Sequence, residues 1–164
     1  MRVVRDFETA DVDAVLAIWL DASLQAHPFV YPTFWHGQLV NMRERYIPGG
    51  HTRVIVHDHV CAGFSCVHGS MLAALFVAPA HQGNGLGALL VEDVKEGRDS
   101  LELAVYVRNS RAVRLYERQA FRASQRRTDP HRRGRMGHAL GALRALPATY
   151  PAFGAPNAGV EIKP

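Results

Sequence analysis

Cysteine is scarce in this chain. It has two, Cys61 and Cys66, and no C-x-x-C pair or second cluster, so the usual ligands of a structural zinc site are missing and no metal is expected. The two stand five apart in a segment that reads as a strand. Alternation then sends their side chains to opposite faces, and they are expected to stay reduced and unpaired. No apolar run reaches the roughly 18 to 20 residues that a spanning helix needs. Met1 and Arg2 lead straight into a strand-like pattern without the apolar stretch of a signal peptide, so a cytoplasmic protein with no membrane partner is expected. No repeat is visible. With 164 residues, 48% hydrophobic and 21% charged, the composition excludes general disorder and bounds the chain to one core.

Acidic residues are nearly absent from one stretch. Between Arg108 and Arg135 lie ten arginines against Glu117 and Asp129, a local balance of +8, which leaves −4 on the remaining residues. Such a block suits an anionic ligand or an acidic partner, and equally a solvated face. No aromatic ladder, zinc finger or helix-turn-helix pattern interleaves the arginines, so a nucleic-acid-binding module built on the Arg108 to Arg135 block is carried only as an alternative.

Periodicity supplies the elements. A short strand over 2–7 precedes Thr9, an expected N-cap, and a helix whose Val12, Val15, Leu16, Trp19 and Leu20 share one face. After a break at His27-Pro28, a less regular helix begins at Pro32 or Thr33 and stops by Pro48-Gly49-Gly50. Strands follow over 52–57 and 60–67 around an Asp58-His59 turn. The run 71–77, M-L-A-A-L-F-V, is apolar on both faces and belongs at the centre of the sheet. A glycine-containing loop then leads into a helix with Leu86, Leu89, Leu90 and Val94 on one side. A strand over 101–107, a helix capped by Asn109 or Ser110, and a strand over 121–127 complete the regular part. Beyond Asp129 the pattern fails; a short helix over 138–146 and an extended arm over the last twenty residues or so are expected.

The segment Gln82-Gly83-Asn84-Gly85-Leu86-Gly87 joins a buried strand to a helix start, where free N–H groups and the positive end of the helix dipole make an anion site. No Lys-Ser/Thr pair follows the glycines, which excludes a Walker loop. A dinucleotide fingerprint, Gly83-x-Gly85-x-x-Ala88, would follow its strand at once, whereas A-P-A-H-Q intervenes here, and Glu102 opens its strand where a ribose acid would close it. The pattern Q-x-x-G-x-G remains. Together with L-F-V-A-P-A-H-Q-G-N-G-L-G-A-L-L-V-E and, downstream, N-S-R-A-V-R-L-Y-E-R-Q-A-F, it resembles the GNAT superfamily of N-acetyltransferases, in the manner of its small bacterial members, over residues 1 to about 128.

That resemblance implies an α/β fold: a mixed, mostly antiparallel sheet, splayed at its centre, with helices on both faces. It implies an acetyltransferase domain over 1–128, with 129–164 as an atypical C-terminal extension. It further implies acetyl-CoA as co-substrate and acetyl transfer to a primary amine, of a small molecule or a lysine side chain, in a ternary complex. The backbone of Leu75, Phe76 and Val77 would pair with the pantetheine arm. Amides of Gly83, Asn84, Gly85, Leu86, Gly87 and Ala88 would hold the diphosphate, with Gln82 fixing the start of the loop. Asn109 would bond the pantetheine amide region. Helical spacing puts Asn109, Ala112 and Tyr116 on one face, and Tyr116 matches the family's general acid. The strand carboxylate that many members use as base is replaced by Ala104, which motivates the alternative of a CoA-binding regulatory domain without turnover. His27, in the break where the family shapes its acceptor pocket, is the candidate base, with Phe29, Tyr31, Phe34 and Trp35 as a candidate aromatic wall. A homodimer through the sheet edge or C-terminal arm is a further expectation.

Overall fold

The protein is described from a computed structural model, covering residues 1–106, 108–123 and 141–146, the last six and Ala123 as backbone. The strands are β1 (Arg2–Asp6), β2 (His51–His57), β3 (Val60–His68), β4 (Met71–Val77), β5 (Leu101–Tyr106), β6 (Arg122–Ala123) and β7 (Gly141–Leu146). They form one mixed sheet in the order β1-β2-β3-β4-β5-β7-β6. The first four pair antiparallel; β5 is parallel to β4 and β7, and β6 is parallel to β7. As the apolar run over 71–77 implies, β4 is central.

Helices cover both faces. Helix α1 (Val12–Ala26) and the short α2 (Pro32–Gly37) pack Val15, Trp19 and Trp35 against Val54, Phe64, Cys66 and Ala74 of the sheet. Helices α3 (Leu86–Lys95) and α4 (Ser110–Arg118) lie on the other face, where Leu86 and Leu90 meet Ile55 and Ala62, and Val91, Val94 and Tyr116 meet Leu72, Leu103 and Val105. Val54 and Ile55 are adjacent and both fully buried, because alternation points one to each layer. Arg53 joins β2 to α3 with a forked bond to Asp93, at 3.1 and 2.8 Å, while a third N–H reaches Asp6 of β1 at 2.7 Å.

The centre splays. Between β4 and β5 the register has one bridge, Met71↔Glu102, after which the strands part. That opening positions everything described below.

Several expectations are corrected. The odd spacing of Cys61 and Cys66 does not separate them, because Ile55 pairs with Gly63 and Val56 with Cys61, leaving Ala62 as an extra residue that restores both cysteines to the α1 face. Both are free thiols, raised above their ordinary pKa by burial. Thr9 does not cap α1: a 3₁₀ turn (Thr9–Asp11) intervenes, in which the Asp11 carboxylate accepts the Glu8 N–H at 2.8 Å and a forked bond from Arg5 at 2.7 and 2.8 Å. The second helix is interrupted after Gly37 and continues as an irregular run to Gly49, with a π-helical stretch at Met42–Tyr46. Within the expected helix over 138–146, residues Gly141–Leu146 form a strand between β5 and β6. A six-residue helix is marginal by itself, and pairing with an open strand edge outweighs it. The strand expected over 121–127 is described only at Arg122–Ala123; its remainder, Val107 and the C-terminal arm lie outside the described residues.

Candidate active site

The splay opens a cleft of about 750 Å³, floored by β4 and walled by the end of α1, the start of α3 with its preceding loop, and α4. On its β3 side β4 is fully paired, Ser65↔Leu75, Phe64↔Phe76 and Gly63↔Val77. On the other side the edge is open. Val77 O accepts from Gln82 Nε2 at 3.0 Å, which sets the Val77 backbone toward the cleft. Alternation then turns the Leu75 backbone the same way and the Phe76 backbone toward β3. Leu75 N–H, Leu75 C=O and Val77 N–H are thus the groups free to pair with an extended ligand. Phe76 contributes its ring, stacked 5.7 Å from Phe64. Gly63 makes the β3–β4 approach possible, since a Cβ there would lie 2.7 Å from Phe76 O.

The glycine loop follows a 3₁₀ turn (Pro79–His81). Gly83 and Gly85 take φ of +86° and +77°, the left-handed region that glycine enters without strain. The N–H groups of Gly83, Asn84, Gly85, Leu86 and Gly87 meet no acceptor among the described residues, whereas Ala88 N–H donates to Gly85 O at 3.1 Å. The run of free amides therefore ends at Gly87, and Ala88 lines the cleft without an amide to offer. Asn84 is exposed and donates to His81 O at 3.2 Å. The Leu86 side chain is core, so only its backbone faces the site. At Gly87 a Cβ would sit 3.2 Å from Leu115 Cδ2, so this glycine lets α3 lie close to α4. Free amides, a left-handed turn, and open space beside Gly85 fit a diphosphate, while the open β4 edge fits a strand-like arm.

Helix α4 brings its own N-terminus to the cleft. Asn109 Oδ1 caps it by accepting Ala112 N–H at 3.2 Å, which leaves the Asn109 amide NH₂ for a ligand. Tyr116, two turns further, lines the cleft yet is 7% exposed. Burial pushes its hydroxyl pKa up, so it stays protonated. Its ring packs edge-on against Phe121 at 5.6 Å.

The structure does not put His27 among the lining residues. Gln25 and Ala26, just before it, face the cleft. His27 stands behind them as the C-cap of α1, its ring stacked on Trp35 at 5.1 Å and edge-on to Phe29 and Tyr106 at 5.7 and 5.0 Å. Its Nδ1 lies 2.9 Å from Ser23 O, a carbonyl, so Nδ1 carries the proton and Nε2 the lone pair. Burial lowers its pKa, which keeps the ring neutral. Of the aromatic wall, Tyr31 is 84% exposed and Trp35 is core; Phe29 and Phe34 are half-buried.

Two parts of the cleft are not legible in the sequence. Arg111 Nη1 donates to Gln82 Oε1 at 2.7 Å, tying α4 to the glycine loop across 29 residues with no local pattern to announce it. The last turn of α1 walls the cleft through Ala22, Gln25 and Ala26; its helical face was legible, its destination was not.

Over most of its length the chain is similar to several known proteins. Peptidyl-lysine N-acetyltransferase YiaC of Escherichia coli strain K12 is 31% identical over 120 residues, spanning 73% of this chain and 82% of that protein. The solution structure of apo YjaB from Escherichia coli superposes with a TM-score of 0.66 at 24% identity, over 74% of this chain and 83% of the other. A PaiA N-acetyltransferase of Thermoplasma acidophilum, solved in complex with coenzyme A, does so at 0.69 and 13% identity, over 78% and 94%. The acetyltransferase (GNAT) domain model matches residues 13–132. Cleft, loop and match together make this chain a member of the GNAT acetyltransferase family.

Proposed function

We propose that the protein transfers the acetyl group of acetyl-CoA to the ε-amine of a peptidyl lysine, by direct attack with both substrates in the cleft. The observation that carries this is the continuity of the unpaired β4 edge with the glycine loop: one surface offers strand hydrogen bonds to a pantetheine arm and then free amides to a diphosphate. Kinship with a peptidyl-lysine N-acetyltransferase supports the choice of acceptor.

The cleft is also polarised. The first turns of α3 and α4 place positive helix ends at its wall, while the last turn of α1, at Gln25 and Ala26, presents a negative one. An anionic donor and a cationic acceptor are thus drawn to different ends.

When bound, acetyl-CoA supplies a thioester carbonyl and a thiolate leaving group. A lysine amine with its pKa near 10.4 is neutral on the order of one part in a thousand at neutral pH, so a proton must go first. We assign its removal to the neutral His27, by way of an intervening water because the ring stands behind the cleft wall. Attack forms the C–N bond and breaks the C–S bond, and Tyr116 gives its hydroxyl proton to the departing sulfur. Leu75 and Val77 align the arm, Asn109 Nδ2 donates to its amide region, Gln82 and Arg111 brace the loop, and 83–87 hold the diphosphate.

Calorimetric titration tests the shared premise. Acetyl-CoA is expected to bind with micromolar affinity and NAD not at all. Gly85→Val should abolish most of that affinity, since it forces a β-branched residue to a left-handed φ and projects into the open space of the loop. Unchanged affinity would remove the loop from the site. Tight binding with no transfer to any lysine peptide would favour a CoA-binding regulatory domain.

A further inference from the structure

Among the described residues three arginines line the cleft and no carboxylate does, but the three are not equivalent. Arg111 is committed to Gln82 on the glycine loop, and Arg118 Nε donates to Arg114 O at 3.1 Å. Arg108 is held differently. Its guanidinium lies 4.7 Å over the ring of Phe29, and Phe29 in turn packs edge-on to His27 and Tyr106. It enters no hydrogen bond or ion pair among the described residues. Arg108 is therefore joined to the α1 end of the cleft, where Arg111 is joined to the loop.

The ring contact holds the guanidinium in place while its N–H groups stay free of protein partners among the described residues, and such a fork can take a carboxylate with two parallel bonds. Beside it, the negative end of α1 suits an ammonium. The two features together match neighbouring opposite charges on a peptide.

We propose that Arg108 is a specificity residue that binds an acidic side chain next to the target lysine, so that the enzyme prefers lysines flanked by Asp or Glu. The proposal rests on the acetyl-transfer reading above and goes beyond it in naming the class of peptide.

Three peptides, identical except for Asp, Ala or Arg beside one lysine, are assayed with the unaltered enzyme and with Arg108→Ala, Arg108→Lys and Arg108→Glu, and acetyl-CoA binding is measured for each protein. The unaltered enzyme should prefer the Asp peptide over the Arg peptide by about tenfold in kcat/KM, since a forked bond at an exposed site is discounted by solvent. Arg108→Ala should erase that preference, Arg108→Lys keep only a small part of it, and Arg108→Glu invert it, all with unchanged acetyl-CoA affinity. Equal use of the three peptides by the unaltered enzyme, or a preference that survives Arg108→Ala, overturns the inference and leaves acetyl transfer standing. Weaker acetyl-CoA binding with an equal loss on all peptides overturns it too, by assigning Arg108 to the cofactor. If acetyl-CoA does not bind, or no lysine peptide is acetylated, the acetyl-transfer reading itself fails.

Discussion

Tyr116 and His27 are both buried ionisable groups, and burial moves their pKa values in opposite directions. A tyrosine whose pKa is pushed up keeps its proton, and an imidazole whose pKa is pushed down keeps its lone pair, so each is held in the neutral form, though as a weaker acid and a weaker base. Tyr116→Phe keeps the ring packed on Phe121 and removes only the hydroxyl, so kcat should fall by about 10²-fold or more with acetyl-CoA affinity retained. An unchanged rate in stopped-flow assays would return Tyr116 to the core. His27 also leaves a mark on stability. Its folded-state pKa lies below the ordinary 6.5, so on acidification the unfolded chain takes up the proton first. Stability should be intact above about pH 6.5 and decline below it, until the folded imidazole titrates. Urea titrations from pH 8 to 5 should show a shallower decline for His27→Phe; parallel curves would contradict the assignment. The candidates Tyr116, Asn109, Gln82 and the glycines were legible because each sits in a short motif whose spacing has a helical or turn meaning. His27 was legible as a residue, but its seat behind Gln25 and Ala26 was not, because it depends on rings from three other segments.

At the level of elements, the tight places are backbone ones. Helix α4 ends with Ala120 at φ +65°, closing the turn through Phe121 N–H to Tyr116 O at 3.0 Å and Ala120 N–H to Glu117 O at 3.1 Å. Glycine is the natural residue there, so Ala120→Gly should stabilise the protein by about 1 kcal/mol, seen as a higher urea midpoint at unchanged slope. A lower midpoint would mean that the Ala120 methyl makes packing worth more than the strain. Gly63→Ala acts the other way. Its Cβ cannot coexist with Phe76 O at 2.7 Å, so β4 must shift at the cleft floor, and the variant should lose stability and acetyl-CoA affinity together. Retention of both would show that β4 adjusts freely. Strand 71–77 and helices α1, α3 and α4 were readable from apolar periodicity. The bulge at Ala62 was not, since an extra residue in one strand shows only against its partner, and it is what brings Cys61 and Cys66 to the same layer.

For the molecule as a whole, function follows from a fault in the sheet: β4 and β5 share one bridge and separate. The freed edge, two helix N-termini and the end of α1 meet in that gap. Arg53 braces the neighbouring strands by joining Asp93 of α3 and Asp6 of β1. Arg53→Met should cost about 1.5 to 3 kcal/mol, chiefly by stranding the half-buried Asp93 carboxylate, with the loss read as a lower urea midpoint; a change within error would show that Asp93 finds solvent instead. Strand order lies beyond single-sequence patterns because it is decided by pairings between distant segments. The insertion of Gly141–Leu146 between β5 and β6 is the clearest instance: six residues without sustained alternation are recruited by an edge formed forty residues earlier. The family motifs bridged that gap for the splayed sheet, and not for the segment beyond Asp129.

These features converge on one proposed reaction, the movement of an acetyl group from a thioester to a lysine amine in this cleft. Its most direct test is incubation of an acid-flanked lysine peptide with acetyl-CoA and the protein, followed by mass spectrometry of the peptide and titration of free thiol. One acetyl group on the lysine ε-amine is expected for each thiol released, at a rate that collapses with Tyr116→Phe. Thiol release without peptide acetylation, or no reaction although acetyl-CoA binds, would contradict it.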